Sequence, residues 1–411
     1  MNTLGTTRAL ELVDSVVRQR ALIFGSLPPE GHDIDLLLED ADADAVAARL
    51  SAQGLVSRQN EWLVVAEGSA AVLELVRSSA WRLPPAELTR LFEEAEPLPG
   101  ASRLVTPAPH HVLLILARRL ARGRTQLGAK QRTRIAAALA AAPAAWEVAH
   151  DRGEAWAAGA ALARLQALYA DRAPDEPRTR LKRPKRTRVI SLSGLDGAGK
   201  SSQARLLADG LDRLGFPVVV EWAPARHPDL RLLSEPVRRL LRIGRRSTAT
   251  GRANPDFRPT RYPAGVAHTW VTIQAIATAF SFWQGVAPHL GRGKVVVFDR
   301  YGLDFAVFLR YRHGSGRSFR PQLRLLKALS PRPLCSYLLD VPAETAHRRK
   351  EDQYTLEELR RQAEVYREEL ELFGVRRLDG EQAPDELFAA ILTEVWQALK
   401  GVPTADLERG A

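Results

Sequence analysis

The chain has 411 residues, 45% hydrophobic and 26% charged, a balance that excludes whole-chain disorder. A prior of roughly 150 residues per domain gives two or three domains. Lys and Arg outnumber Asp and Glu by 59 to 48, a net charge of +11. One cysteine, Cys335, excludes an intrachain disulfide and fits a reducing, cytoplasmic setting.

The first twenty residues carry acids and Arg and lack an apolar h-region, so no signal peptide is expected. Over residues 1–105, Leu22–Phe24, Asp33–Leu38, Trp62–Ala66 and Ala71–Val76 read as strands joined by Gly, Pro and Asn turns. Residues 106–170 are rich in Ala, Leu and Arg at helical spacing and predict two or three helices. His110 and His111 fall at a helix start with no third metal ligand nearby in sequence, so a capping or surface role is expected.

Residues 171–188 are Pro-punctuated, hold eight basic and three acidic residues, and read as an exposed basic linker. A second basic window, 224–262, holds ten Arg and three acids. Each is a solvated segment or a surface for phosphates, nucleic acid or anionic lipid.

From 189 to 400 short apolar runs alternate with helical segments: Val189–Leu192, Val218–Glu221, Val295–Phe298, Ser336–Leu339 and Val375–Leu378. Such runs suit parallel strands buried on both faces and predict an α/β fold with a five-stranded parallel sheet. Tyr262–Gly291 lacks Asp, Glu, Lys and Arg, but its His, Gln and Thr residues favour a buried helix over a membrane span.

The segment Gly194-Leu-Asp-Gly-Ala-Gly-Lys200-Ser201 matches G-x-x-x-x-G-K-[ST], between a predicted strand and a predicted helix. Gly194, Gly197 and Gly199 let backbone N–H groups converge on phosphate oxygens, and the following helix adds its positive end. Asp196, Ala198 and Ser202 complete the loop; Lys200 is expected to reach the β- and γ-phosphates and Ser201 to ligate Mg²⁺. Val295-Val-Val-Phe ends in Asp299-Arg300-Tyr301, which places an acid for Mg²⁺ and an Arg for a second phosphate at the ligand-binding edge. His347, Arg348, Arg349 and Lys350 follow the next strand and can close over a transferring phosphoryl group.

Together, GLDGAGKSSQ, the DRY triplet Asp299–Tyr301, LLDVPAETAHRRK at Leu338–Lys350 and the late Leu378-Asp379-Gly380 resemble the thymidylate kinase family of P-loop nucleoside monophosphate kinases, over roughly residues 186–400. The resemblance implies ATP and Mg²⁺ as cofactors, and catalytic roles for Lys200, Asp299, Arg300 and Arg349. It also implies ATP contacts along 194–202 and from Arg348 and Arg349, Asp196 near the acceptor, and possible pairing into a homodimer. The acceptor expected is a nucleoside monophosphate, most simply dTMP. The family's acceptor-side Arg is missing from IQAIATAFSFWQG, where Phe280, Phe282 and Trp283 stack a base or fill the core. Arg258 or Arg261 is a candidate replacement. This departure leaves open a sugar, glycan or other hydroxyl acceptor, with Asp299 or Asp304 as general base. A non-catalytic ATP-binding or nucleic-acid-associated protein is the third reading.

In the first domain, Phe24-Gly25-Ser26 followed by Asp33-Ile34-Asp35 resembles the nucleotidyltransferase fold shared with polymerase-β-like enzymes. That resemblance implies a small α+β domain in which Gly25 and Ser26 cradle phosphate, while Asp33, Asp35 and a third acid, Glu74, hold Mg²⁺.

Overall fold

The computed structural model describes residues 4–28, 32–121, 127–171, 187–222, 264–313, 319–350 and 354–401. Most of the basic linker, the 224–262 window with Arg258 and Arg261, and residues 351–353 after the basic cluster lie outside them. The chain divides into two compact units, Met1–Leu181 and Lys182–Ala411.

In the first unit, α1 (Leu4–Val16) leads to β1 (Ala21–Ile23), β2 (Asp33–Leu38), α2 (Asp40–Ala52), β3 (Val56–Arg58), β4 (Glu61–Ala66) and β5 (Ser69–Arg77). Then come α3 (Pro85–Glu93), β6 (Glu96–Pro97), β7 (Leu104–Thr106), α4 (Pro109–Ala121), α5 (Ala129–Ala141), α6 (Ala145–Arg152) and α7 (Gly159–Ala170). Asp33–Leu38 is present as expected, the other three expected strands are present with shifted ends, and β3, β6 and β7 are additions. The helical stretch forms four helices rather than two or three, because Gly128, Pro143 and Gly153 interrupt it at the gaps.

The seven strands run β3-β4-β5-β2-β1-β7-β6. Strands β2 and β5 are parallel, with Asp33 opposite Val72 and Asp35 opposite Glu74. Side chains alternate along β2. Ile34, Leu36 and Leu38 enter one core with Leu12 and Val13 of α1 and Val46 and Leu50 of α2. Leu37 enters the other, with Leu113 and Leu116 of α4, Ile135 of α5 and Leu162 and Leu165 of α7. Asp33 and Asp35 share the parity of Leu37 and so lie on the helical face.

In the second unit, β8 (Arg188–Gly194) and α8 (Lys200–Arg213) precede β9 (Val218–Trp222), α9 (Ala264–Val286), β10 (Val295–Asp299), α10 (Gly302–His313) and α11 (Arg320–Leu329). The chain continues through β11 (Cys335–Asp340), α12 (Ala343–Arg349), α13 (Leu356–Phe373), β12 (Arg376–Asp379) and α14 (Pro384–Lys400). Five strands lie in the order β12-β11-β8-β10-β9, and every pair is parallel. All strands therefore end at one edge, where β8 gives way to the glycine-rich loop and β10 to Asp299. A capping box from Thr355 and Glu358 starts α13, and Gly374 in the left-handed region ends it.

No described helix is long and apolar enough to cross a membrane. The expected buried helix is α9, but it buries only one face. Val271, Ala275, Ala279, Phe282 and Val286 join the core, while Phe280 is 63% and Trp283 41% exposed. Phe282 stacks on Tyr301 with centroids 4.0 Å apart, and Trp283 donates to the Leu329 carbonyl at 2.8 Å.

Candidate active site

The loop between β8 and α8 has the geometry its glycines anticipate. Gly197 and Gly199 adopt φ of 92° and 88°, which L side chains rarely reach. At Gly197 a Cβ would also stand 2.5 Å from the Ala346 carbonyl oxygen of α12, so the loop passes directly beneath that helix. Lys200 is buried, and its Nζ donates to the carbonyls of Gly194 and Leu195, both at 2.7 Å. Burial, and then the Arg300 charge, push its pKa down to about 8.

Asp299 is buried at the end of β10. Its Oδ2 accepts from Ser201 Oγ, whereas Oδ1 is buried with no hydrogen-bond partner. A buried carboxylate oxygen left bare beside a serine hydroxyl fits the ligand set of a magnesium ion. Arg300 adopts φ of 81°, uncommon for a non-glycine residue, while its amide donates to the Leu192 carbonyl at 2.9 Å. This turn aims its guanidinium at Asp196, which accepts from it directly. Burial alone would raise the Asp196 pKa, but Arg300, Lys200 and Lys350 together hold it below the ordinary carboxylate range.

Of the basic cluster on α12, Arg349 reaches the loop, its Nη1 lying 3.5 Å from the Gly197 carbonyl. Arg348 instead turns to the Thr345 hydroxyl at 3.3 Å. Sequence reasoning singled out Asp304 only as a base and did not find Tyr366. Asp304 is enclosed: Oδ2 accepts from the Tyr301 amide at 2.9 Å, and Oδ1 lies 3.4 Å from the Gly194 amide and 2.8 Å from Tyr366 Oη. Tyr366 Oη is also 2.9 Å from the Gly194 carbonyl. This knot ties the exits of β8 and β10 to α13, and it leaves Asp304 no free face from which to act as a base. A tyrosine 62 residues from its acid has no local signature; only the fold joins them.

The first unit holds a separate cavity of about 510 Å³. Gly25, Ser26, His32, Asp33, Asp35 and Glu74 line it, and Arg119, Lys130, Gln131 and Arg134 face them. Asp33, Asp35 and Glu74 each place a carboxylate oxygen within 4.8 Å of the others, as a shared cation requires. Burial raises the pKa of Asp33, reinforced by the neighbouring Asp35, and burial likewise raises that of Asp35. At Gly25 a Cβ would lie 2.3 Å from Asp35 Oδ2, so a side chain there would push that carboxylate aside.

The histidine pair has a third neighbour after all. Glu94 lies 2.9 Å from His110 Nε2, and the three side chains cluster closely enough for a metal. Arg152 already occupies the centre: it pairs with both Glu94 oxygens at 2.8 and 2.9 Å and stands 3.3 and 3.4 Å from the two Nε2 atoms. His111 is fully buried, and burial followed by His110 pushes its pKa down to about 3. Burial also lowers the His110 pKa, and the imidazole pair packs against the Arg152–Glu94 ion pair.

The parallel sheet and its glycine-rich loop define a P-loop kinase-like α/β fold. No family model matches the chain. The chain is 29% identical over 219 residues to the thymidylate kinase of Xylella fastidiosa (strain M12), covering 52% of this chain and 88% of that protein. It is 30% identical over 167 residues to the thymidylate kinase of Herpetosiphon aurantiacus, and 30% identical over 153 residues to that of Syntrophotalea carbinolica. These two matches cover 40% and 37% of this chain, and span 61% and 62% of the relatives' own lengths. About half of the chain is thus a thymidylate-kinase-like region.

Proposed function

We propose that the Lys182–Ala411 unit is an ATP-dependent phosphotransferase that moves the γ-phosphoryl group to a nucleoside monophosphate, with a dTMP-like acceptor. The observation that carries this reading is the bare Asp299 oxygen beside Ser201, at the strand edge from which the glycine-rich loop departs. Lys200 exchanges its two carbonyl partners for phosphate oxygens and regains full charge beside them. Loop N–H groups and the α8 N-terminus hold the rest of the triphosphate. Arg349 closes on the transferring group from α12, and Arg348 joins it at the ATP side. Arg300, kept in place by Asp196, orients the acceptor phosphate. Ser201 and Asp299 would hold a magnesium ion, which would supply neutralisation of phosphate charge. A phosphate acceptor is already a nucleophile and needs only positioning. A hydroxyl acceptor needs a free base; with Asp304 enclosed and Asp299 assigned to magnesium, neither candidate serves, which favours the phosphate acceptor.

ADP release measured across nucleoside monophosphates and simple sugars tests this. Turnover with dTMP or a related monophosphate is the expected result. Turnover with sugars alone moves the assignment to a hydroxyl kinase. No turnover, with steeply salt-dependent binding to nucleic acid, leaves the non-catalytic reading.

A second activity is proposed for the Met1–Leu181 unit, on the clustering of Asp33, Asp35 and Glu74: these three hold a divalent cation, as the nucleotidyltransferase resemblance implies, with Gly25 and Ser26 along the ligand. Mn²⁺ binding followed by electron paramagnetic resonance loses one class of site in the Asp33→Asn, Asp35→Asn double variant. Unchanged binding removes the reading. A cytoplasmic setting and a homodimer complete the proposal; Cys335 is buried with its thiol pushed up to about 11, first by that burial, as suits an unreactive side chain.

A further inference from the structure

Lys200 and Tyr366 meet at one backbone oxygen. The Gly194 carbonyl accepts from Lys200 Nζ at 2.7 Å and lies 2.9 Å from Tyr366 Oη. Among the described residues, these are the side chains that reach it. Lys200, Asp304 and Tyr366 are all buried, so bulk water does not replace a partner that leaves.

A phenol has one proton to donate, and Tyr366 Oη stands between two acceptors, the Gly194 carbonyl and Asp304 Oδ1 at 2.8 Å. In the ligand-free chain Lys200 already satisfies the carbonyl, and the carboxylate is the stronger acceptor, so the proton points to Asp304. That balance depends on Lys200. When its ammonium moves to phosphate oxygens, it leaves two carbonyls behind. Leu195 keeps a second donor, the Ala198 amide at 3.0 Å. Gly194 keeps the hydroxyl beside it, and a buried acceptor left without a donor costs more than an ordinary hydrogen bond gains. Asp304 can release the proton: its Oδ2 keeps the Tyr301 amide at 2.9 Å, and the Gly194 amide stands 3.4 Å from Oδ1. Rotation about the phenolic C–O bond carries the proton from one acceptor to the other with no change in the ring.

We propose that Tyr366 is a positioning residue for the nucleotide: its hydroxyl turns from Asp304 to the Gly194 carbonyl as Lys200 departs for the phosphates, so the lysine is released without leaving that carbonyl bare. The role rests on the proposed Lys200–phosphate contact. It ties ATP occupancy to α13, the helix that carries Tyr366.

MgATP is titrated by calorimetry into the full natural chain, Tyr366→Phe, Lys200→Ala and the double variant. With the hydroxyl gone, a departing Lys200 leaves the carbonyl bare, so Tyr366→Phe should weaken binding about threefold or more. In Lys200→Ala no lysine departs, and adding Tyr366→Phe should leave the affinity unchanged. A hydroxyl that only braces the fold weakens both backgrounds by the same factor; that result overturns the proposal, as does natural affinity in Tyr366→Phe. A natural chain that ignores millimolar MgATP sinks the phosphotransferase reading and this role with it, whereas MgATP binding that is indifferent to Tyr366→Phe sinks the role alone. Should a variant fail to fold or bind too weakly to titrate, 3-fluorotyrosine placed at position 366 decides by its ¹⁹F resonance, which reports the partner of the hydroxyl. In ligand-free Lys200→Ala the signal should move to where MgATP places it in the natural chain, because in both states the carbonyl has lost its lysine. A signal that stays at the natural chain's ligand-free position refutes the exchange.

Discussion

Replacing Gly197 with Ala tests the contact between the phosphate loop and the helix above it. The residue has φ of 92°, and the new Cβ would stand 2.5 Å from the Ala346 carbonyl oxygen and 3.2 Å from its carbon. The left-handed backbone alone costs about 1–2 kcal/mol for a residue with a Cβ. To restore an ordinary carbon–oxygen separation of about 3.3 Å, α12 must retreat by roughly 0.8 Å. That helix carries Arg349, whose guanidinium touches the Gly197 carbonyl. A misplacement of about 1 Å in a positioning group costs on the order of 10²-fold in rate. Gly199 is the control: its φ is 88°, but a Cβ there meets nothing within 4 Å. Gly199→Ala therefore carries the backbone strain without displacing α12. We expect Gly197→Ala to lower kcat for ADP formation on the order of 10²-fold, and about tenfold further than Gly199→Ala. Thermal unfolding should shift down in both by about 2–8 °C. Wild-type kcat in Gly197→Ala, or an equal kcat loss in the two variants, would refute the argument that α12 and the loop act together.

Two further outcomes follow from charged groups. Lys200 has a pKa pushed down to about 8 in the ligand-free protein, and phosphates restore its proton; ATP binding should therefore take up a proton at pH 8.5–9 and little at pH 7, weakening as pH rises past about 8. Calorimetry in two buffers of different ionisation heat reads this directly, and identical proton uptake at both pH values contradicts it. The same depression means that ligand-free stability gains from this group as pH rises from about 8 towards the ordinary value of 10.5. Asp14 accepts from the Ser102 amide and hydroxyl, both at 2.9 Å, and from the Arg103 amide at 2.7 Å. Burial opposes its ionisation, but these donors and the Leu104 amide together hold its carboxyl below the ordinary range. Asp14→Asn should cost about 1 kcal/mol at pH 7. The difference should shrink as pH falls below about 4, through the lowered value. Equal urea midpoints for the two proteins at pH 7 would sink this reading.

Much of the second unit was legible because its signals are local. Apolar runs announced all five strands, and the glycine spacing announced both the loop and its positive φ values. Asp299 and Arg300 were found because a strand end beside that loop is a place for chemistry. Tyr366 and the enclosure of Asp304 were not, since they are made by α13 crossing back over the loop. In the first unit, strands β3, β6 and β7 have two or three residues each and too little sequence to show a period. Asp33 and Asp35 were found from strand parity, and Glu74 as the third acid that the nucleotidyltransferase resemblance implies. The arginines opposite them belong to helices whose own pattern looks merely amphipathic, and only the packing of α4 and α5 on the sheet turns them toward the acids. Glu94 escaped notice as the third member of the histidine cluster for the same reason.

The central claim is that Lys200, Ser201 and Asp299 bind Mg-ATP for transfer to a monophosphate. Incubation with γ-³²P-ATP, magnesium and dTMP tests it most directly, comparing the natural chain with Lys200→Ala. The account predicts label on the acceptor with the natural chain and a loss on the order of 10²-fold or more in the variant. Label transferred equally by both proteins would contradict it.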